Sequence, residues 1–452
     1  MSDKKISLSE RDRRAVWHPF TQMRTAGLAL PIVRGEGAKL YDESGNAYID
    51  GIASWWMNLH GHANPYLAQR LFEQAQQLEH VIFANFTHSP AVELAERLLE
   101  VLPSNQDKIF YSDNGSTAVE VAIKMSLQFW YNQAQPKRTK IIALHGAYHG
   151  DTFGAMSVGA RSAFNRPFEP LLFEVLWIDA PSKNSESLAQ LQAIWAKQAQ
   201  EIAAFIFEPL VQGAGGMLMH EAEELDKLLG FCRQNNIICI ADEVMTGFGR
   251  TGRFFATDYC QHKPDIFCLS KGLTAGMLPL GVTSCTGEIF EAFCSDTDVY
   301  KTFFHGHSHA GNPLACAVGV ASLDLLQKPE RQADIARIIA AHAQFAELLR
   351  RQASAQNVRQ CGVILAFDWQ DSPDELPSYL NRRSAFIWEF FIQRRIILRP
   401  LGNTIYILPP YCITPDELQS IYDAILDLLQ QNAPQATHYQ SENLPNNGDI
   451  FI

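Results

Sequence analysis

The chain has no Cys-x-x-Cys pair, no uninterrupted apolar run long enough to cross a bilayer and no internal repeat. Each absence removes a class of protein. Nine cysteines is an odd number, and Cys232, Cys239, Cys268 and Cys316, among others, lie scattered in apolar segments. They are expected to be buried free thiols in a reducing compartment, not a disulfide framework or a zinc site. Without roughly 20 consecutive apolar residues, a transmembrane helix is not expected. The charged opening MSDKKISLSERDRRAVW does not resemble a signal peptide. The expectation is a cytoplasmic protein with no membrane partner. Basic residues are also scarce: 37 Lys and Arg face 49 Asp and Glu, for a net charge of −12. That balance disfavours nucleic acid and anionic membranes as partners. What is present is ordinary globular composition, 47% hydrophobic and 19% charged over 452 residues, enough for two domains or one large domain with an appendage.

The pattern along the chain is mixed. Residues 1–15 are polar and are expected to be mobile until docked. Residues 30–50 read as a hairpin with an ESGN turn. Residues 66–80 and 90–101 have helical spacing. From about residue 108, short apolar strands (KIFYS, TKIIAL, AAFIFEP, IICIADE, IFCLSK, LGVTSC) mostly alternate with helices or loops, and one helix, STAVEVAIKMSLQFWY, carries an apolar stripe. Alternation of this kind predicts an α/β fold with a mostly parallel sheet covered on both faces. Residues 330–350 read as a helix leading into a smaller C-terminal domain. The expected organisation is an N-terminal segment of a small domain over 1–60, a large domain over 61–328, a C-terminal small domain over 329–432 and a tail over 433–452.

Two strand ends carry the chemistry. IICIADEVMTGFGRTG ends a strand in Asp242, and DIFCLSKGLTAG ends the next in Lys271. Ser-Lys-Gly alone is a weak pattern, and a lysine at a strand end is usually just solvated. A carboxylate and a lysine on neighbouring strand ends are nevertheless what pyridoxal phosphate requires. The lysine attaches the cofactor, and the carboxylate keeps the pyridine nitrogen protonated so that the ring accepts electrons. In one parallel sheet both would emerge at the carboxyl edge, where ligands bind. Glu243 follows Asp242, and successive strand residues face opposite ways, so only one of the two should reach the ring. YSDNGSTAVE places Gly115 and Ser116 at a helix start, which suits a phosphate but is also an ordinary cap. Tyr148, in HGAYHGDT, could stack on a ring or sit in the core. His145 and His149 flank it without a third ligand nearby, so no metal is expected.

ADEVMTGFGRTGRFFA, LSKGLTAGMLPLG and FFHGHSHAGNPLACA, in this order, resemble the class III aminotransferases, which are fold-type I pyridoxal phosphate enzymes. More narrowly, WHPFTQM, SWWMNLHGHANP, YHGDTFGAMSVG and RPLGNTIYILPPY resemble the branch of that class that transaminates 8-amino-7-oxononanoate in biotin synthesis. The similarity runs from about Trp17 to about Leu428. It implies Lys271 and Asp242 as catalytic residues, and Gly115, Ser116 and Tyr148 as further cofactor contacts. It implies that Ser308 reaches the phosphate of a second subunit, hence a homodimer. It implies Phe20, Trp55, Trp56, Tyr148, Asp151, Arg250, Gly306 and Arg399 at the substrate, with the Arg399 guanidinium suited to a carboxylate.

The amino donor is less legible. At Phe20 many relatives that use S-adenosylmethionine have a tyrosine, and some relatives that resemble this chain there use lysine. The paired tryptophans favour S-adenosylmethionine, which is the expected donor. The alternatives are lysine as donor, or another class III reaction on ornithine, 4-aminobutyrate or a diamine. A non-enzymatic pyridoxal phosphate protein would be expected to have lost the lysine or the carboxylate, and both are present.

Overall fold

The computed structural model describes residues 6–162, 164–370 and 383–431. The expected tail over 433–452, residue 432, the first five residues and residues 371–382 of the expected C-terminal segment lie outside the described residues. Seven strands form the central sheet, in the order Gln106–Ser112, Gly281–Thr286, Ile266–Leu269, Ile238–Asp242, Ile202–Phe207, Lys140–Leu144, Val175–Ile178. All run parallel except Gly281–Thr286, which is antiparallel to both its neighbours.

The strands are apolar on both faces because both are covered. Ile141, Ala143, Ala204, Ile206, Ile240, Ile266 and Cys268 pack into one core with the helix Gly115–Asn132. The residues between them, Ile142, Leu144, Phe205, Phe207, Ala241, Phe267 and Leu269, pack into the other. That two-residue alternation orients every strand end. The helix Gly115–Asn132 is started by Asn114, whose side chain accepts from the Thr117 N–H at 3.0 Å. Such a cap contributes about 1 kcal/mol.

A second, four-stranded sheet joins distant parts of the chain. Ile32–Glu36, Lys39–Asp42 and Ala47–Asp50 form an antiparallel meander, and the two-residue strand Ile396–Ile397 pairs in parallel with Ala47–Asp50. A three-stranded antiparallel sheet, Ala355–Cys361, Ile364–Trp369 and Thr404–Ile407, lies in the same C-terminal part. Among the described residues no helix is long and apolar enough to cross a membrane.

The N-terminal segment differs from expectation. Leu8–Ala15 is helical, begun by a reciprocal cap between Ser7 and Glu10, and the Ser9 hydroxyl donates to the Ala29 carbonyl at 2.8 Å. Ser-x-x-Glu is the signature of that cap, and polar composition alone conceals it. The helix expected over 66–80 ends earlier, as Pro65–Ala75. The helix expected from Ser116 starts one residue sooner, at Gly115.

Candidate active site

Six parallel strands end at one edge of the central sheet, and the ends at Ser112, Leu144, Phe207, Asp242 and Leu269, or the turns after them, present polar side chains there. A cavity of about 510 Å³ opens there, lined by Trp56, Ser116, Tyr148, His149, Asp242 and Lys271, among others.

Lys271 begins a short 3₁₀ turn, and its φ of +42° is left-handed, a region that disfavours side chains. Neighbours hold the turn: the Ser270 hydroxyl donates to Leu280 O at 2.7 Å and the Ser322 hydroxyl to Gly272 O at 3.2 Å. The Lys271 ammonium lies 4.4 Å from the centre of the Trp56 ring. Burial pushes its pKa down to about 8, with Arg250 adding to the effect and Asp242 and Glu208 opposing it. At neutral pH a much larger share of molecules then carries the free amine than for an ordinary lysine.

Asp242 is buried. One carboxylate oxygen lies 2.7 Å from His149 Nδ1, and the other accepts from the Val244 N–H at 3.1 Å. A carboxylate only accepts, so His149 donates from Nδ1. His149 Nε2 is buried without a partner among the described residues. Glu243 points to the other face, where Thr246, Thr257 and the Ala256 N–H satisfy it. Sequence reasoning weighed His149 only as a metal ligand and missed its place beside Asp242. It also missed Glu208, which is buried and accepts from the N–H groups of Tyr148 at 2.9 Å and Gly213 at 3.0 Å. Burial pushes the Glu208 carboxyl up to about 7, with Asp242 reinforcing and His149 opposing the shift. The signal available was positional: Glu208 directly follows the strand Ile202–Phe207, and His149 lies in the turn after the strand Lys140–Leu144.

At the start of the helix Gly115–Asn132, the N–H groups of Gly115 and Ser116 have no acceptor among the described residues. The Ser116 hydroxyl accepts from the Asp151 N–H at 3.3 Å, tying the Tyr148 turn to the helix start. Between them Gly150, at φ +130°, approaches so closely that a Cβ would lie 2.0 Å from Ser116 Oγ. Tyr148 is half-buried at the cavity, and burial together with the nearby Asp151 pushes its hydroxyl up.

Trp56 is 4% exposed and donates from Nε1 to the Tyr406 hydroxyl at 3.0 Å. Trp55 is 38% exposed, with the Arg399 guanidinium 4.7 Å over its ring. Phe20, 46% exposed, meets Trp55 edge-on at 5.6 Å. The expectation for Arg250 needs correction. It is 1% exposed and donates to the carbonyls of Pro409 at 2.8 Å and Trp56 at 3.1 Å, so its guanidinium braces the back of the Trp56 turn and does not line the cleft. Gly249 and Gly252, both at φ +95°, form the turn that carries the arginine inward. Gly306 and Ser308 are exposed and do not line the cavity of their own chain, although the neighbouring His307 lies 3.8 Å from Asp113. Among the described residues no three His, Cys, Asp or Glu side chains group to hold a metal.

The residues present fit pyridoxal phosphate. Free helix-start N–H groups and a glycine with no room for a side chain suit a phosphate. A buried carboxylate backed by a histidine donor suits a protonated ring nitrogen, and a desolvated amine suits covalent attachment.

The family described as aminotransferase class-III matches residues 21–429. The adenosylmethionine-8-amino-7-oxononanoate aminotransferase of Synechococcus elongatus is 48% identical over 424 residues, covering 92% of this chain and 98% of that protein. The enzyme of the same name from Geobacter sulfurreducens is 40% identical over 443 residues, covering 93% and 96%. The crystal structure of the Methanocaldococcus jannaschii enzyme of that name superposes with a TM-score of 0.88 at 34% identity, covering 93% of this chain and 98% of that one. A PLP-bound amine transaminase from an uncultivated Pseudomonas species superposes with a TM-score of 0.85 at 30% identity, covering 91% and 97%.

Proposed function

The chain belongs to the class III aminotransferases, and on that footing we propose that it transfers an amino group from S-adenosylmethionine to the ketone of 8-amino-7-oxononanoate, giving 7,8-diaminononanoate for biotin synthesis. The observation that carries the reading is the cleft. A desolvated amine and a histidine-backed carboxylate lie beside Trp56, and the preceding residue, Trp55, has the Arg399 guanidinium over its ring. That combination suits a substrate with a long aliphatic chain and a terminal carboxylate. The names of the relatives support the same acceptor and donor.

When bound, pyridoxal phosphate supplies the group that takes up the amine and the ring that accepts electron density from the substrate carbon. The chain's own residues do the rest. Gly115 and Ser116 would hold the phosphate through their N–H groups, and Tyr148 would pack against the cofactor. Asp242, oriented by His149, would hold the proton on the ring nitrogen. Lys271 Nζ would carry a proton away from the amino-bearing carbon, and the burial that lowers its pKa favours the free base. Arg399 orients the carboxylate, and Trp55, Trp56 and Phe20 exclude water from the aliphatic chain.

We read the active unit as a homodimer. Ser308 is exposed outside its own cavity, which supports its expected role at the partner's phosphate. We read the chain as a large domain over 61–328 with a small domain built from 1–60 and 329–432; the pairing of Ile396–Ile397 with Ala47–Asp50 supports this. Six of the nine free cysteines are buried, which supports a reducing, cytoplasmic setting.

The donor is tested by supplying S-adenosylmethionine or lysine with 8-amino-7-oxononanoate and detecting product by mass spectrometry. The missing Phe20 hydroxyl costs roughly 0.5–1.5 kcal/mol, which weakens the donor without excluding it. Phe20→Tyr is therefore expected to improve the apparent affinity for S-adenosylmethionine. Product from lysine and none from S-adenosylmethionine, in both wild type and Phe20→Tyr, would overturn the choice of donor.

A further inference from the structure

The turn that carries the two tryptophans is strained. Ala53, Ser54 and Trp56 have φ of +49°, +59° and +69°, and none of them is glycine. Side chains disfavour that region, and three such residues within four positions require compensation from the surroundings. The Asp50 carboxylate lies directly beneath. It is 0% exposed, and among the described residues its side-chain hydrogen-bond partners belong to this turn or to its exit. One oxygen accepts from the Ile52 N–H at 3.1 Å. The other accepts from the Ser54 N–H at 2.7 Å and the Ser54 hydroxyl at 3.3 Å, and lies 2.7 Å from His62 Nε2. His62 Nδ1 faces the Asn58 amide nitrogen at 3.4 Å. An amide N–H only donates, so Nδ1 is the acceptor and the ring proton sits on Nε2, aimed at Asp50. The His62 N–H donates to Gly37 O at 2.8 Å, which anchors the histidine to the meander.

We propose that Asp50 and His62 are positioning residues that hold the Ala53–Trp56 turn in its left-handed conformation, and thereby set Trp56 against Lys271 and Trp55 against Arg399. Asp50 ends the strand Ala47–Asp50, and its parallel neighbour Ile396–Ile397 runs on to Arg399. The carboxylate therefore sits where the two halves of the substrate grip meet. If the turn relaxes to an ordinary right-handed path, both rings leave their cations, although Lys271, Asp242 and the phosphate cradle stay in place. The substrate part of the proposal rests on the reading of the cleft given above; the backbone part does not.

The test uses the purified holoenzyme and reads amide hydrogen exchange over residues 50–58 together with KM and kcat for 8-amino-7-oxononanoate. Asp50→Asn and His62→Ala should each speed exchange of the Ile52 and Ser54 amides by about 10- to 150-fold, the worth of one hydrogen bond to a charged acceptor. The rise in KM should exceed the fall in kcat. His62→Gln, which keeps a donor near the Nε2 position, should stay close to wild type. Ala53→Gly added to Asp50→Asn should recover part of the loss, because glycine adopts the turn without strain. Wild-type exchange in both Asp50→Asn and His62→Ala would overturn the proposal. So would a His62→Gln variant as impaired as His62→Ala, or faster exchange with unchanged KM. If Asp50→Asn does not fold, the comparison of His62→Gln with His62→Ala decides alone, and failure of both to fold would also overturn it. If 8-amino-7-oxononanoate is not a substrate of the wild type, the exchange data still decide whether Asp50 and His62 hold the turn, and only the reading of the substrate fails.

Discussion

His149→Leu isolates the support of Asp242 without touching the carboxylate. The two side chains meet at 2.7 Å and are 0% and 6% exposed, so water does not replace a lost donor. Leucine fills nearly the same volume, so packing is largely retained. What disappears is one hydrogen bond to a charged acceptor, worth about 1.5–3 kcal/mol. If that bond acts while the ring nitrogen carries its proton, kcat/KM falls by about 10- to 150-fold. Cofactor affinity should weaken in the same direction, because the carboxylate is less well held. His149→Asn is the control: its amide nitrogen occupies roughly the place of Nδ1 and can still donate, so it should lose only a few-fold. Turnover of 8-amino-7-oxononanoate and equilibrium dialysis of pyridoxal phosphate read the two effects separately. A leucine variant within twofold of wild type in both, or an asparagine variant as poor as the leucine one, would refute the reasoning.

Gly150→Ala should weaken cofactor binding more than any of these. The new Cβ would lie 2.0 Å from Ser116 Oγ and 2.9 Å from Ser116 Cα, at a φ of +130° that side chains avoid; dialysis checks the affinity, and a thermal melt of the cofactor-free protein checks that the fold survives. Capture of pyridoxal phosphate by cofactor-stripped protein should speed up with rising pH and level off above about 8, because only the free amine of Lys271 attacks. Lys271→Ala should abolish that capture, and a rate still climbing near pH ~10, where ordinary lysines titrate, would contradict the desolvated site. Ser308→Ala should weaken the cofactor although the residue lies outside its own cavity, and light scattering should find a dimer; a fully active monomer would refute the shared site.

The parts legible from sequence were those with a local signature. Strands that alternate under two cores appear as short apolar runs, which is why Ile238–Asp242 and Ile266–Leu269, and hence Asp242 and Lys271, were found directly. Strand alternation required that only one of Asp242 and Glu243 reach the ring, and the family resemblance, not the alternation, pointed to Asp242. Pairings across long separations were not legible. His149 meets Asp242 across 93 residues and His60 meets Ser322 across 262, and no periodicity records either. The strand Ile396–Ile397 is two residues long, too short for any pattern. Arg250 was misjudged because a Gly-Arg-Thr-Gly turn looks the same whether its arginine points to solvent or inward. The two positive-φ glycines and the carbonyls of Trp56 and Pro409 decide it. The Leu8–Ala15 helix was missed for a different reason: its cap is local, but its composition is that of a mobile tail.

The site divides its tasks between two sheets. The carboxyl edge of the seven-stranded sheet holds Asp242 and Lys271 on strands buried on both faces, so their separation is set by the parallel register of Asp242 with Cys268. That register leaves little freedom, as suits residues that act on the reacting atoms. The aromatic wall and Arg399 depend instead on two paired residues, Ile396 with Ile49 and Ile397 with Asp50. A slip of one residue there would turn alternate side chains to the opposite face and carry Arg399 away from Trp55. Gly51 secures the register: its N–H donates to Ile397 O at 3.1 Å, and a Cβ on it would lie 2.6 Å from the Leu398 side chain. The close approach that glycine allows fixes Arg399 relative to the Asp50 turn. On the reading proposed above, the chemistry is set by a long, doubly covered sheet, and the choice of substrate by a short pairing in which small changes shift the arginine and both tryptophans together.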